Sequence, residues 1–95
     1  MKWEKYDKMG FDFYMDPGHG WIKVSIKLLR DLNIAKDVSC FSYYSNGFGY
    51  LEEDCDAALL FKALEAVGTK PVIRDHHTDQ DSPIRDFACF CAELN

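Results

Sequence analysis

The hexapeptide Asp16-Pro17-Gly18-His19-Gly20-Trp21 places an imidazole between two glycines, three residues after a carboxylate. The glycines permit a sharp reversal that would expose His19 at a hairpin tip. Asp16 could then orient it as a general base or a ligand-binding group, with Trp21 beside it. The structural alternative is a turn whose histidine bonds a neighbouring backbone or aromatic group. A second cluster, Asp75-His76-His77 with Asp79 and Asp81, brings carboxylates and imidazoles together in a donor set suited to a divalent cation and metal-dependent hydrolysis. Adjacent histidines on an extended segment point to opposite faces, however, so a solvated polar loop is the better reading and no metal site is assigned.

The third candidate is the acidic run Glu52-Glu53-Asp54-Cys55-Asp56. On a strand Glu52 and Asp54 share one face, but without a pocket to separate their environments no acid–base division of labour arises. Tyr43, Tyr44, Phe48 and Tyr50 belong to the same predicted hairpin. Tyrosines beside carboxylates suit the gripping of a Lys- or Arg-rich surface; cross-strand ring pairing is the plainer use of them. The contact set is therefore Tyr43, Tyr44, Tyr50, Glu52, Glu53, Asp54 and Asp56. The chain has no Gly-x-Ser-x-Gly elbow, P-loop or Gly-x-Gly-x-x-Gly fingerprint, so no catalytic residue or cofactor is assigned. Cys40, Cys55, Cys89 and Cys91 lack the Cys-x2-Cys spacing of structural zinc and are expected as reduced, buried small hydrophobes, Cys40 on a strand and Cys89 and Cys91 on a helix.

These residues need elements to position them. Phe11 to Asp16 alternates with period two, and Trp21 to Val24 reads as its return strand after the Pro-Gly turn. Ser25 caps a short helix over Ile26 to Leu32, which Asn33 ends. Val38 to Tyr44 and Phe48 to Glu53 form a second hairpin about Asn46-Gly47. Asp56 caps a helix over Ala57 to Val67, ended by Gly68. Lys70 to His76 is a further strand. Ser82-Pro83 opens a third helix with Ile84, Phe87, Ala88 and Cys91 as its apolar stripe. The expected fold is α+β, with a mainly antiparallel sheet of about five strands and three helices on one face, in the order β-β-α-β-β-α-β-α. One domain covers residues 1–95, residues 1–8 being a tail or edge strand.

Hydrophobic residues make up 47% of the 95, enough for a packed core. The net charge of −5 argues against direct nucleic-acid binding. Six of the acidic side chains, against one basic, fall between residues 31 and 60. No apolar run approaches a membrane span and no signal peptide opens the chain, so a cytoplasmic protein is expected.

The segments Asp16 to Trp21, Tyr50-Leu51-Glu52-Glu53-Asp54-Cys55-Asp56-Ala57 and Ser82-Pro83-Ile84-Arg85 resemble a family of small, largely uncharacterised proteins of bacteriophages and mobile elements. The likeness spans roughly Phe13 to Phe87. It implies an accessory protein acting inside a bacterial host, where small acidic proteins often inhibit defence systems, anti-CRISPR proteins among them. The leading expectation is thus a non-enzymatic binding protein that presents its acidic hairpin to a basic surface on a host protein or protein–nucleic-acid complex. The alternative is a small-ligand or nucleotide binder built on Asp16, His19 and Trp21, which an oligomer could complete. A metal-dependent hydrolase using His76 and His77 ranks third.

Overall fold

A computed structural model describes residues 8–90 of the chain. Its strands are β1 (Lys8–Met15), β2 (Gly20–Ser25), β3 (Tyr43–Ser45), β4 (Phe48–Glu52), β5 (Lys70–His77) and β6 (Ala88–Cys89). Among the described residues two α-helices, α1 (Ile26–Asp31) and α2 (Ala57–Ala66), interrupt them, with single 3-10 turns at Ala35–Asp37 and Pro83–Asp86. The strands form one sheet in the order β5-β1-β2-β4-β3-β6.

The α+β class is as expected, and three details differ. The sheet has six described strands and is mixed, because β5 pairs parallel to β1 while the other neighbours run antiparallel. Over residues 82–89 the expected third helix is only the turn Pro83–Asp86. Ser82 does cap it, its Oγ accepting from Ile84 N–H, but the chain then extends into β6 beside β3. Its stripe is divided accordingly: Ile84 is buried, Phe87 half-buried and Ala88 exposed, while Cys91 lies outside the described residues. The strand expected over Val38 to Tyr44 shrinks to Tyr43–Ser45, because the preceding stretch binds the start of α2 through Ser39 and Ser42. The sequence pattern also missed how far β1 reaches: Lys8 opens it, whereas residues 1–7 lie outside the described residues.

Local chemistry explains the other elements. Ser25 Oγ accepts from Leu28 N–H at 3.1 Å, satisfying a free amide of the first turn of α1. Beyond that helix Asn33 takes φ 61°, and Ile34 N–H returns to Leu29 O at 3.0 Å. Asn46 and Gly47 both have positive φ, as a tight hairpin requires. Gly68 after α2 sits at φ 77° with open space where a Cβ would be. Gly68→Ala should therefore lower the unfolding free energy by about 1–2 kcal/mol through backbone strain alone. A thermal melt with unchanged midpoint would show that the turn tolerates a side chain.

Alternation sorts the side chains onto two faces. Phe11, Ile22, Val24 and Leu51 join Ile26 and Leu29 of α1 and Leu60 and Leu64 of α2 in the main core. The opposite face carries Trp21, Tyr50 and Ile84 as a second cluster, with Tyr14, Tyr43 and Phe87 against it. Both helices thus cover one face, and the turn Pro83–Asp86 covers part of the other. That second face builds the site.

Candidate functional site

The Asp16 to Gly20 turn is organised by one carboxylate. Asp16 Oδ1 accepts from the amides of Gly18 (3.0 Å) and His19 (2.9 Å), curling the chain around the side chain. Its Oδ2 accepts from Ser82 N–H at 2.9 Å, and Arg85 closes a two-point bridge, Nε to Oδ2 at 2.6 Å and Nη2 to Oδ1 at 2.9 Å. The Asp16 side chain is fully enclosed. The Arg85 bond, outweighing burial and aided by the Ser82, His19 and Gly18 amides, holds Asp16 well below the usual carboxylate range. Arg85 is raised in return, chiefly by its bond to Asp16. Gly18 belongs to this clasp, since a Cβ there would lie 3.0 Å from Arg85 Nη2.

His19 is held from the neighbouring strand. Trp21 of β2 pairs with Glu52 of β4, which puts the Glu52 carboxylate beside the turn. Glu52 Oε2 lies 3.1 Å from His19 Nδ1, and Oε1 accepts from Asp54 N–H at 2.6 Å. The Glu52 side chain is almost wholly buried, whereas His19 is half exposed. An ionised Glu52 accepts from Nδ1–H, which leaves Nε2 outward, an acceptor in the neutral ring and a donor in the imidazolium. This is the arrangement of a base with its orienting carboxylate. Nearby, burial first and then the Asp54 and Glu52 charges push Glu53 up, opposed by His19.

Trp21 joins the two pairs. It is 1% exposed, with the Arg85 guanidinium 5.4 Å from its ring centre, the His19 ring 6.0 Å away and Tyr43 edge-on at 6.2 Å. These side chains and Glu52 line a groove of about 320 Å³, whose further wall holds Cys40, Phe41, Asp54 and Cys55. That wall is fixed by Asp56. Its carboxylate accepts from Ser39 N–H at 3.1 Å, Ser39 Oγ at 2.7 Å and Ser42 Oγ at 2.5 Å, and Ser42 Oγ in turn accepts from Glu52 N–H at 3.0 Å.

The structure divides the expected contact set. Glu53 and Asp54 are exposed, but Tyr50, Glu52 and Asp56 are buried. Tyr44 packs on the helix-covered face and Tyr43 on the opposite one. The seven residues share no outward patch, because β4 alternates and two of the carboxylates are occupied by internal donors. Asp56 stands at the start of α2 as expected, yet makes no side-chain cap there. Burial and the Tyr14 charge push the Tyr50 phenol up.

The histidine pair separates as alternation requires. His76 Nε2 meets Asp12 Oδ1 at 2.9 Å and stacks on Tyr14 at 4.8 Å, while His77 reaches only Asp79, at 3.8 Å. Asp12 also accepts from Arg74 Nε at 2.7 Å, and the Arg74 and His76 bonds lower its pKa to about 2. Among the described residues, the acidic trio Glu52, Glu53 and Asp54 alone brings three candidate ligand atoms within 4.8 Å of one another, and the Asp75 to Asp81 stretch does not gather three.

The cysteines also correct the expectation. Cys40 and Cys55 are exposed, Cys89 lies on β6 with its thiol donating to Cys40 O at 3.3 Å, and Cys91 falls outside the described residues. Desolvation by the groove wall, then the Glu52 carboxylate, pushes the Cys55 thiol up, which disfavours a thiolate nucleophile. Sequence reasoning singled out Asp16, His19 and Trp21, but missed Arg85, Phe41, Cys40 and Cys55 as groove residues. Arg85 is 69 residues from Asp16 in the chain, and no local signal announces that pairing. No helix among the described residues is long and apolar enough to cross a membrane. The chain matches no family model, no curated protein and no solved structure.

Proposed function

We propose that the protein binds a small polar molecule in the groove between the Asp16 to Gly20 turn and the Cys40 to Tyr43 loop. One observation supports this above others. His19 and Arg85, each fastened by a buried carboxylate, both border the same groove over the Trp21 ring. Head groups held by partners behind them lose little freedom on meeting a ligand, which is what preorganised binding requires. Three segments far apart in sequence, Asp16 to Trp21, Tyr50 to Ala57 and Ser82 to Arg85, meet there. The test is a thermal-shift screen of polar metabolite-like compounds against the parent and His19→Ala. Compounds that raise the parent melting temperature should lose most of that effect in the variant. A screen without a stabilising compound, or shifts that survive the substitution, would count against the groove.

A second reading keeps the contact surface in smaller form. Phe41 is 69% exposed at the groove wall, and Asp54 and Glu53 are exposed nearby. A host protein or protein–nucleic-acid complex with a basic face could seat there, in keeping with the mobile-element setting and anti-defence role that the motif resemblance implies. Phe41→Ala combined with Glu53→Ala and Asp54→Ala would then abolish capture of such a partner and leave the fold intact.

A further inference from the structure

We infer that the groove takes a phosphate monoester of the nucleoside monophosphate class, with the phosphate between Arg85 and His19 and the base against Phe41 and Tyr43. This rests on the ligand-binding reading above and adds the chemistry of the ligand.

Asp16 occupies Nε and Nη2 of Arg85, with Asp81 a further 4.0 Å from Nε, and Glu52 occupies Nδ1 of His19. Among the described residues nothing bonds Arg85 Nη1 or His19 Nε2, so one nitrogen of each head group is left for a ligand. Arg85 balances the Asp16 charge, and a His19 imidazolium balances that of Glu52. Gly18 allows the guanidinium against the turn that carries His19, since a Cβ there would sit 3.0 Å from Nη2. Arg85 Nη1 and, in the imidazolium form, His19 Nε2 thus offer two donors to one groove, the guanidinium 5.4 Å and the imidazole 6.0 Å from the Trp21 ring centre, which suits the oxygens of one phosphate. The groove also offers aromatic surface: Phe41 stands exposed on the further wall, and Tyr43 meets Trp21 edge-on. A planar heterocycle suits that surface, and the cavity of about 320 Å³ lies at the small end of ligand pockets. Asp54 opposes the arrangement. It is exposed, lines the same groove and repels a phosphate. That opposition gives the proposal a sign that a structural role would not share.

The experiment titrates the common ribonucleoside monophosphates, and the corresponding nucleosides, into isotopically labelled protein followed by amide resonances, with affinities from calorimetry. At least one monophosphate should shift the amides of Gly18, His19, Trp21 and Arg85, its nucleoside binding about tenfold more weakly. His19→Gln should weaken the monophosphate about tenfold and leave the nucleoside unchanged. Asp54→Asn, a surface change that spares the fold, should tighten the monophosphate about threefold, as loss of a nearby like charge predicts. Binding of no monophosphate overturns the proposal. Equal affinity for nucleoside and monophosphate overturns the phosphate assignment while the groove reading stands. Weaker monophosphate binding by Asp54→Asn would show that Asp54 accepts a hydrogen bond from the ligand rather than repelling its phosphate, and also overturns the placement.

Discussion

Asp16→Ala is expected to cost about 3–4 kcal/mol of stability, the largest effect of any single polar substitution in the chain. The change strips the partner from two turn amides, the Ser82 amide and both bridging nitrogens of Arg85, several of them shielded from water. Chemical denaturation of the variant should show the midpoint falling at an unchanged slope; a loss below about 1 kcal/mol would mean that water replaces the carboxylate readily. The same residue sets the acid limb of the stability curve. Its folded pKa is depressed, so the unfolded chain binds the proton more tightly. The contribution is complete above the ordinary carboxylate pKa of about 4 and is lost progressively as pH falls from there toward the much lower folded value. Asp12, held at about 2 by Arg74 and His76, adds a smaller effect of the same sign. Parent and Asp16→Ala should therefore converge in stability under strong acid. Parallel curves throughout would remove Asp16 as the source.

Asp56→Ala should be the second large loss, about 2–4 kcal/mol, through orphaned donors. Ser39 N–H, Ser39 Oγ and Ser42 Oγ all direct hydrogens at this buried carboxylate, and Ser42 relays the anchorage to the backbone of Glu52. The effect should reach the groove as well as the melting temperature. With the Ser39 to Ser42 loop untied, amide exchange should quicken at Phe41 and Ser42, and ligand affinity should fall even where the protein remains folded. Ser42→Ala, which removes the bond to Asp56 and strips the partner from the Glu52 amide but keeps both Ser39 bonds, should reproduce the first effect in part. Exchange confined to its parent rate in both variants would show that the loop is held by other contacts.

What the sequence discloses follows the range of each interaction. The hairpin at Asn46-Gly47, the Ser25 cap and the apolar spacing of α2 depend on neighbours within a few residues, and all three are found. The parallel β1–β5 pairing links Asp12 to Arg74 across 62 residues, and period-two alternation carries no information about which strand lies alongside. The Ser82-Pro83 start was correctly placed, yet Tyr43 and Tyr44 then draw the chain into β6 where local propensity favours a helix. For the site, the Asp-Pro-Gly-His-Gly turn was visible as a candidate. Its true partners were not, because Glu52 looks like one more solvated acid until the strand register turns it inward, and Asp56 until the Ser39 to Ser42 loop closes on it.

The clasp between Asp16 and Arg85 bears on when the groove can exist. During synthesis, the hairpin of β1 and β2 and the bend between β3 and β4 can close from short stretches of chain, whereas β1 waits for β5 and the turn waits for residues 82–85. A growing polypeptide exposed only through α2 would carry His19 and Glu52 but not the Arg85 guanidinium. The groove is thus incomplete in partly made molecules, and any binding proposed for it must wait until Arg85 is in place.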